Sequence, residues 1–296
     1  MAIPEDQFAS WSSQGSITQS KTTYAAIKNA LEDSSSPYAE RNFTPFLQGS
    51  YGNDTNIYAD SDVDVVMRLD GAFQYDVSPL TEEARTQFDR AYANADYSYP
   101  QFKAEVAAWL KTKYGDAVKV GSKAITIAGN GARRDADVLP CIKFRRYSKF
   151  NNAAEENYIE GICFFKADGT KIINYPKQHS ENCTAKHQRT GGRFKPTVRI
   201  FKNLRNRLID TGMIEDGLAP SYYLEGMLYN VPHELYVAGH VDTFANAINW
   251  LVKADKAKLL CANEQYYLLW EGSPVTWRAA SYDKFLSAAI DLWNKW

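Results

Sequence analysis

The spacing of apolar positions changes several times along the chain, and each change marks an element. Over residues 17–31, Ile17, Tyr24, Ile27 and Leu31 recur at helical spacing, and Ser34-Ser35-Ser36-Pro37 ends the run. Within 43–69 the character shifts: a Gly49-Ser50 turn is followed by the β-rich run Val63-Asp64-Val65-Val66-Met67-Arg68-Leu69. Helical spacing returns over 81–113, through Phe88 and Tyr92 and then Phe102, Val106, Trp109 and Leu110, with Pro100 dividing two pieces. Residues 119–128 predict a strand, Gly129-Asn130-Gly131 a hairpin turn, and 133–144 the returning strand. One more strand is expected at 158–165, ending at Asp168-Gly169. Beyond it the pattern is helical, at 195–210, 220–230, 241–253 and 281–295. A mixed α/β part to about residue 180 is therefore followed by a helical part, with no internal repeat or low-complexity segment.

Composition narrows the class. With 296 residues, 45% hydrophobic and 23% charged, the chain has ordinary globular character and enough length for two lobes. A net charge of -1 means that any basic binding surface must be local. Cys141, Cys163, Cys183 and Cys261 form no CxxC pair. No basic-then-apolar leader is visible at the N-terminus, and no apolar stretch approaches the ~18 residues of a membrane span. A cytoplasmic location with free thiols and no membrane contact is the expectation.

Candidate chemistry centres on carboxylates. In Ser61-Asp62-Val63-Asp64-Val65, strand alternation puts Asp62 and Asp64 on one face, about 6.6 Å apart, while Val63, Val65 and Met67 face the other way. Two carboxylates so close repel unless a positive charge lies between them, and divalent ions with oxygen ligands are the usual answer. An edge strand with two solvated acids is the alternative. The returning strand offers a third carboxylate, Asp135 or Asp137, both on one face by period two. Ahead of these stands Gly49-Ser50. There the backbone of Gly49 can approach a ligand closely, and the Ser50 hydroxyl and the first amides of a helix could meet a phosphate.

Gly49-Ser50, then Asp62-Val63-Asp64 leading an apolar strand, then Asp137-Val138-Leu139-Pro140, resembles the polymerase-β nucleotidyltransferase superfamily. The nearest branch holds oligoadenylate synthase, cyclic GMP-AMP synthase and the bacterial cGAS/DncV-like nucleotidyltransferases. The D-V-L-P segment is similar to that branch's third-aspartate motif, which selects Asp137 over Asp135. The resemblance runs in pieces from about residue 16 to the C-terminus.

Two further segments carry it. Between Cys183 and Ile209 no acidic residue occurs, while Lys186, Arg189, Arg193, Lys195, Arg199, Lys202, Arg205 and Arg207 do. Val198, Phe201, Leu204 and Leu208 give this helix an apolar stripe, and Arg199 and Lys202, three apart, share a neighbouring face. A solvated basic face is the plain reading. The resemblance implies instead that Lys202 is the branch's phosphate-binding lysine, with Arg199 one turn earlier. Pro220-Ser221-Tyr222-Tyr223-Leu224-Glu225 looks like its Ser-Tyr segment, so Ser221 would contact the donor triphosphate and Tyr222 would stack on a base, with Tyr223 in the core. His179, Cys183 and His187 share zinc-friendly spacing, but no fourth ligand is evident. They are read as incidental residues of a loop between lobes, without structural zinc.

The resemblance implies an α+β fold: a polymerase-β-like nucleotidyltransferase lobe with a mixed sheet, plus a helical C-terminal lobe. The expected divisions are an N-terminal bracing helix in 1–35, a nucleotidyltransferase core at 36–180 and a helical lobe at 181–296, the site lying in the cleft between the lobes. The implied activity is synthesis of a cyclic di- or oligonucleotide second messenger from NTPs. Asp62, Asp64 and Asp137 would hold two Mg²⁺ or Mn²⁺ ions. In bacteria such enzymes act in antiphage signalling, where the product activates a downstream effector. Nucleic-acid binding is allowed but not required. The competing readings are an enzyme making linear oligonucleotides or modifying a single acceptor, and a non-enzymatic nucleic-acid sensor using the basic stretch 186–207.

Overall fold

Strands form here where apolar residues alternate or run together, and two helices begin at a hydroxyl side-chain cap. The computed structural model describes residues 3–15, 17–58, 62–93 and 95–296. In chain order the elements begin with α1 (Glu5–Ser12), α2 (Thr18–Leu31), β1 (Phe43–Leu47), α3 (Gly49–Gly52), β2 (Val63–Asp76), α4 (Glu82–Ala91) and α5 (Tyr99–Tyr114). They continue with β3 (Val118–Val120), β4 (Ile125–Ile127), β5 (Ala136–Asn152), β6 (Glu155–Phe165) and β7 (Lys171–Asn174). The last are α6 (Pro176–Arg189), α7 (Phe194–Asp210), α8 (Ser221–Asn230), α9 (His240–Lys253) and α10 (Ala279–Lys295). The fold is α+β, with two compact units. A sheet unit comprises Thr18–Gln48 and Asp62–Tyr175, and a helical unit comprises Met1–Ile17, Gly49–Ser61 and Pro176–Trp296.

In the sheet unit, strands run in the order β1-β2-β5-β4-β3, and β6 joins the far half of β5 with β7 beyond it. Only β2 and β5 pair in parallel among the described strands, so the sheet is mixed. Val63, Val65 and Met67 are buried, as alternation predicts. Helices α2 and α5 bury Ile27, Leu31, Phe102, Val106 and Leu110. Ser98 starts α5 by accepting the Gln101 amide at 3.3 Å, with Pro100 in the first turn. Thr81 does the same for α4 through the Ala84 amide. The expected strand 119–128 is in fact two strands: the Gly121 amide bonds Ala124 O at 2.9 Å, folding β3 back on β4. The strand expected at 133–144 runs on to Asn152 in a long ladder with β6.

The helical unit is built around α7, whose Val198, Phe201, Leu204 and Leu208 are buried as the stripe predicts. Met227 and Leu228 of α8, Phe244 and Leu251 of α9 and Phe285 of α10 complete its core. Helix α1 was not apparent from the sequence pattern. Its Phe8 is fully buried, 5.0 Å from the Phe244 ring and stacked on Trp293 at 5.9 Å. Its Glu5 carboxylate accepts the amides of His240 and Val241, capping α9 from a distance at 2.7 and 2.8 Å. The block expected at 1–35 is therefore divided. α1 belongs to the helical unit because Phe8 and Glu5 find partners there, and α2 belongs to the sheet unit through Ile27 and Leu31.

Candidate active site

The parallel pairing of β2 with β5 puts Asp64 directly opposite Asp137. Adjacent strands lie about 4.8 Å apart, so two carboxylates share one register step. Asp62 lies one residue before β2 and is exposed, and its spacing of two assigns it to the face of Asp64. On the other side of β5, Thr126 of β4 is the register partner of Asp137, and its hydroxyl donates to Asp137 Oδ1 at 2.7 Å. Asp135 is occupied differently. It precedes β5, its carboxylate accepts the Gly129 amide at 2.6 Å, and its carbonyl accepts the Val63 amide at 3.0 Å. That closes the loop between β4 and β5, a structural task separate from the Asp64–Asp137 pair. Three carboxylates are a hard oxygen donor set, and opposed acids on neighbouring strands suit divalent Mg²⁺ or Mn²⁺.

Gly49 opens α3 with φ at 67°, a conformation that glycine adopts without steric cost. Ser50 follows in the helix, half-buried, and the Thr55 amide bonds its carbonyl at 2.9 Å. The segment after α3 is held by cations from α7, all within the helical unit. Lys195 meets Asp54 Oδ2 at 3.0 Å, Arg199 donates to Asp54 O at 2.8 Å and to Ser12 O at 2.5 Å, and Lys202 donates to Thr55 O at 3.1 Å. Lys202 is 0% exposed. A buried ammonium is tolerated only with such acceptors around it.

Helix α8 begins at Ser221, whose Oγ accepts from Arg205 at 3.1 Å. Tyr222 is half-buried. Its hydroxyl accepts from Asn263 at 2.8 Å, and its ring stacks on His179 with centroids 4.6 Å apart at 21°. Tyr223 packs parallel to Trp277 against the core, as expected of it. One turn on, Glu225 is buried and gathers three donors: Thr55 Oγ1, Asn53 Nδ2 at 3.0 Å and His179 Nε2 at 2.6 Å. Burial alone would push its pKa up. The bonds from His179 and Thr55 and the nearby Lys202 charge outweigh burial and hold the pKa below the ordinary value.

Several expectations need revision. The stretch 186–207 is not a solvated basic face: Lys186, Lys195, Lys202 and Arg205 are buried, leaving Arg189, Arg193 and Arg207 exposed. The buried cations bond carbonyls and side chains of the same unit. His179, Cys183 and His187 do not sit in a loop but on α6. His179 and Cys183 share its buried face with Glu225, their ligand atoms within 4.8 Å of one another. His187 turns away, its Nδ1 accepting the Lys195 amide at 3.3 Å. Both Glu225 oxygens serve donors, which makes this cluster a buried polar node. Thr126, Glu225, Asn53 and Thr55 were not singled out from the sequence, and His179 was read there only as an incidental loop residue. Glu225 carried a signal, being three residues after Tyr222 and so on the same helical face.

A parallel strand pair carrying opposed aspartates in one unit, and a glycine-serine turn in the other, are the features of a nucleotidyltransferase of the polymerase-β kind, and comparison with known proteins agrees. Residues 181–294 match the family described as the cGAS/DncV-like nucleotidyltransferase C-terminal helical domain. The chain is 40% identical to the cyclic UMP-AMP synthase of Rhodothermus marinus over 297 residues, covering 100% of this chain and 99% of that protein. The solved structure of Rhodothermus marinus CdnE c-UMP-AMP synthase with Apcpp and Upnpp matches with a TM-score of 0.89 over 99% of this chain and 97% of that one. That of Elizabethkingia meningoseptica CdnE cyclic dinucleotide synthase with GTP and Apcpp matches at 30% identity and a TM-score of 0.78, over 99% and 98%. The chain belongs to the cGAS/DncV-like nucleotidyltransferase family. Among the described residues, no helix is long and apolar enough to cross a membrane.

Proposed function

We propose that this nucleotidyltransferase joins two nucleoside triphosphates into a cyclic dinucleotide. The observation that carries the reading is the register pairing of Asp64 with Asp137, with Asp62 two residues away. In this reading Asp62, Asp64 and Asp137 hold two Mg²⁺ or Mn²⁺ ions. Bound there, the ions would lower the pKa of an acceptor ribose hydroxyl and neutralise charge on the departing pyrophosphate. Thr126 fixes the rotamer of Asp137 by occupying Oδ1, leaving Oδ2 for a ligand. Gly49 and Ser50 offer backbone and hydroxyl donors to phosphate oxygens, and Ser221 adds another. Lys202 and Arg199 sit beneath and beside the turn they anchor, so the phosphates would meet their positive field there. Tyr222 offers an aromatic surface for a base. No protein nucleophile is needed: the acceptor oxygen forms the new P–O bond, its proton passes to solvent, and pyrophosphate leaves.

The cyclic outcome follows from holding the linear intermediate. It still carries one triphosphate and one free hydroxyl, and a second turnover on the same carboxylates closes the ring. Keeping the two ends together makes that step effectively unimolecular. The 40% identical Rhodothermus marinus relative supports cyclic UMP-AMP as the first product to test. The GTP and Apcpp bound to the Elizabethkingia meningoseptica structure support base choice varying within the family. The setting proposed is antiphage signalling through an effector that the product activates, with NTP supply making the cytoplasm the expected site of action.

Pyrophosphate release from mixed NTPs tests the metal-carboxylate core. Release should need Mg²⁺ or Mn²⁺, stop with EDTA, and fall to background in Asp64→Asn and Asp137→Asn. Release at the wild-type rate by either variant would overturn the assignment.

A further inference from the structure

Glu225 is a charged residue in the middle of an apolar helix, 3% exposed, and nothing in the phosphoryl-transfer chemistry requires it. An ionised carboxylate so placed is costly unless every lone pair has a donor. Its donors come from separate stretches of chain. Thr55 and Asn53 belong to the segment that continues directly from Gly49-Ser50, and the bonds from the Asn53 amide to Gly49 O (3.0 Å) and the Thr55 amide to Ser50 O (2.9 Å) tie that segment to the turn itself. The third donor, His179, is the ring on which Tyr222 stacks. Since a carboxylate can only accept, His179 Nε2 carries the proton, and this bond fixes the plane of the imidazole and with it the tilt of Tyr222. Tyr222 and Glu225 lie three apart on α8, on the same helical face, so the arrangement needs one helical turn and no mobile element. Lys202, on the Thr55 carbonyl, closes the network from below.

We propose that Glu225 is a positioning residue for the nucleoside triphosphate, one buried carboxylate that holds the Gly49–Ser50 turn and the His179–Tyr222 aromatic pair in a single arrangement. The proposal rests on the reading of Gly49, Ser50 and Tyr222 as nucleotide contacts. It differs from a packing role in a measurable way. Loss of mere packing lowers stability and leaves nucleotide affinity alone, whereas loss of the clamp loosens residues 49–57 in the folded protein and weakens triphosphate use.

The test is Glu225→Gln, which keeps the volume but leaves one acceptor oxygen for three donors. Hydrogen exchange of the 49–57 amides is read without nucleotide, and KM and kcat are read with ATP and UTP. The expected result is exchange at 49–57 faster by about tenfold or more, the scale of losing one hydrogen bond to a charged group, with exchange elsewhere unchanged. KM should rise by a similar factor, with a smaller effect on kcat. His179→Phe, which keeps a ring under Tyr222 but loses the bond, should move both readouts in the same direction by less. Should Glu225→Gln fail to fold, Thr55→Val removes one donor and is read in the same way. Unchanged exchange at 49–57 would overturn the proposal, as would faster exchange with an unchanged KM. A wild-type protein that releases no pyrophosphate from any NTP would instead defeat the nucleotidyltransferase reading, and the exchange result would still show whether Glu225 holds the turn.

Discussion

Asp64 and Asp137 are direct register partners on β2 and β5, so their carboxylates are placed to share a cation. Asp62→Asn, Asp64→Asn and Asp137→Asn should each reduce turnover by at least ~10³-fold, the scale of losing several kcal/mol of transition-state stabilisation. The fold should be retained, because asparagine keeps the shape of each side chain and one acceptor oxygen. Asp135→Asn keeps an oxygen for the Gly129 amide and should stay within several-fold of wild type; an inactive Asp135→Asn beside an active Asp137→Asn would reverse the assignment. A second residue prediction concerns stability. Lys186 is buried, donates to Val231 O and lies near the rings of Tyr229 and Tyr236; burial lowers its pKa to about 8. An unfolded lysine titrates near ~10.4. Between these values the unfolded state binds more protons, so this residue makes stability rise with pH across that window, its penalty being fully present below about pH 8. Lys186→Met should flatten that rise in urea unfolding measured from pH 7 to 10. An equally steep rise in the variant would contradict the burial account.

At the scale of elements, α1 makes the sharpest prediction. Phe8 sits among Trp11, Phe244 and Trp293 with no exposed surface. Phe8→Ala should cost about 3–5 kcal/mol by denaturant unfolding; a loss under ~1 kcal/mol would mean that α1 is not part of the core. This helix was illegible beforehand because eight residues hold too few apolar positions for a period to emerge, and its partners lie far along the chain, on α7, α9 and α10. The aspartate face was legible for the opposite reason: strand alternation is local, and it needs only Asp62, Val63, Asp64 and Val65. The preference for Asp137 over Asp135 came from resemblance; Asp137 is the register partner of Asp64, and Asp135 accepts the Gly129 amide. The charges of α7 were visible, but their partners were not. Lys195, Arg199 and Lys202 bind the 54–55 backbone and the Asp54 side chain, contacts separated by about 140 residues that no periodicity encodes. Likewise, Gly121 gave no warning that 119–128 would fold into its own hairpin.

For the whole molecule, two compact units each own a core, and the described residues 49–58 belong to the helical one although the chain on both sides of that segment belongs to the sheet unit. The Gly49-Ser50 turn is thus fixed by α7 and α8 through Asn53, Asp54 and Thr55, while the aspartates are fixed by the sheet. Lys202→Ala removes a buried cation from the first of these arrangements. It should raise KM for NTPs more than it lowers kcat, since that charge acts on ground and transition states alike; unchanged kinetic constants would remove Lys202 from the site. The central claim, a cyclic product made by one set of carboxylates, is tested most directly by incubating the protein with all four NTPs and Mg²⁺ or Mn²⁺, treating with phosphatase and weighing the products by mass spectrometry. The account predicts a phosphatase-resistant dinucleotide with no terminal phosphate, its mass that of two nucleotides joined by two phosphodiester bonds. A phosphatase-sensitive ladder of linear oligonucleotides, or nucleotide transferred only to a foreign acceptor, would contradict it.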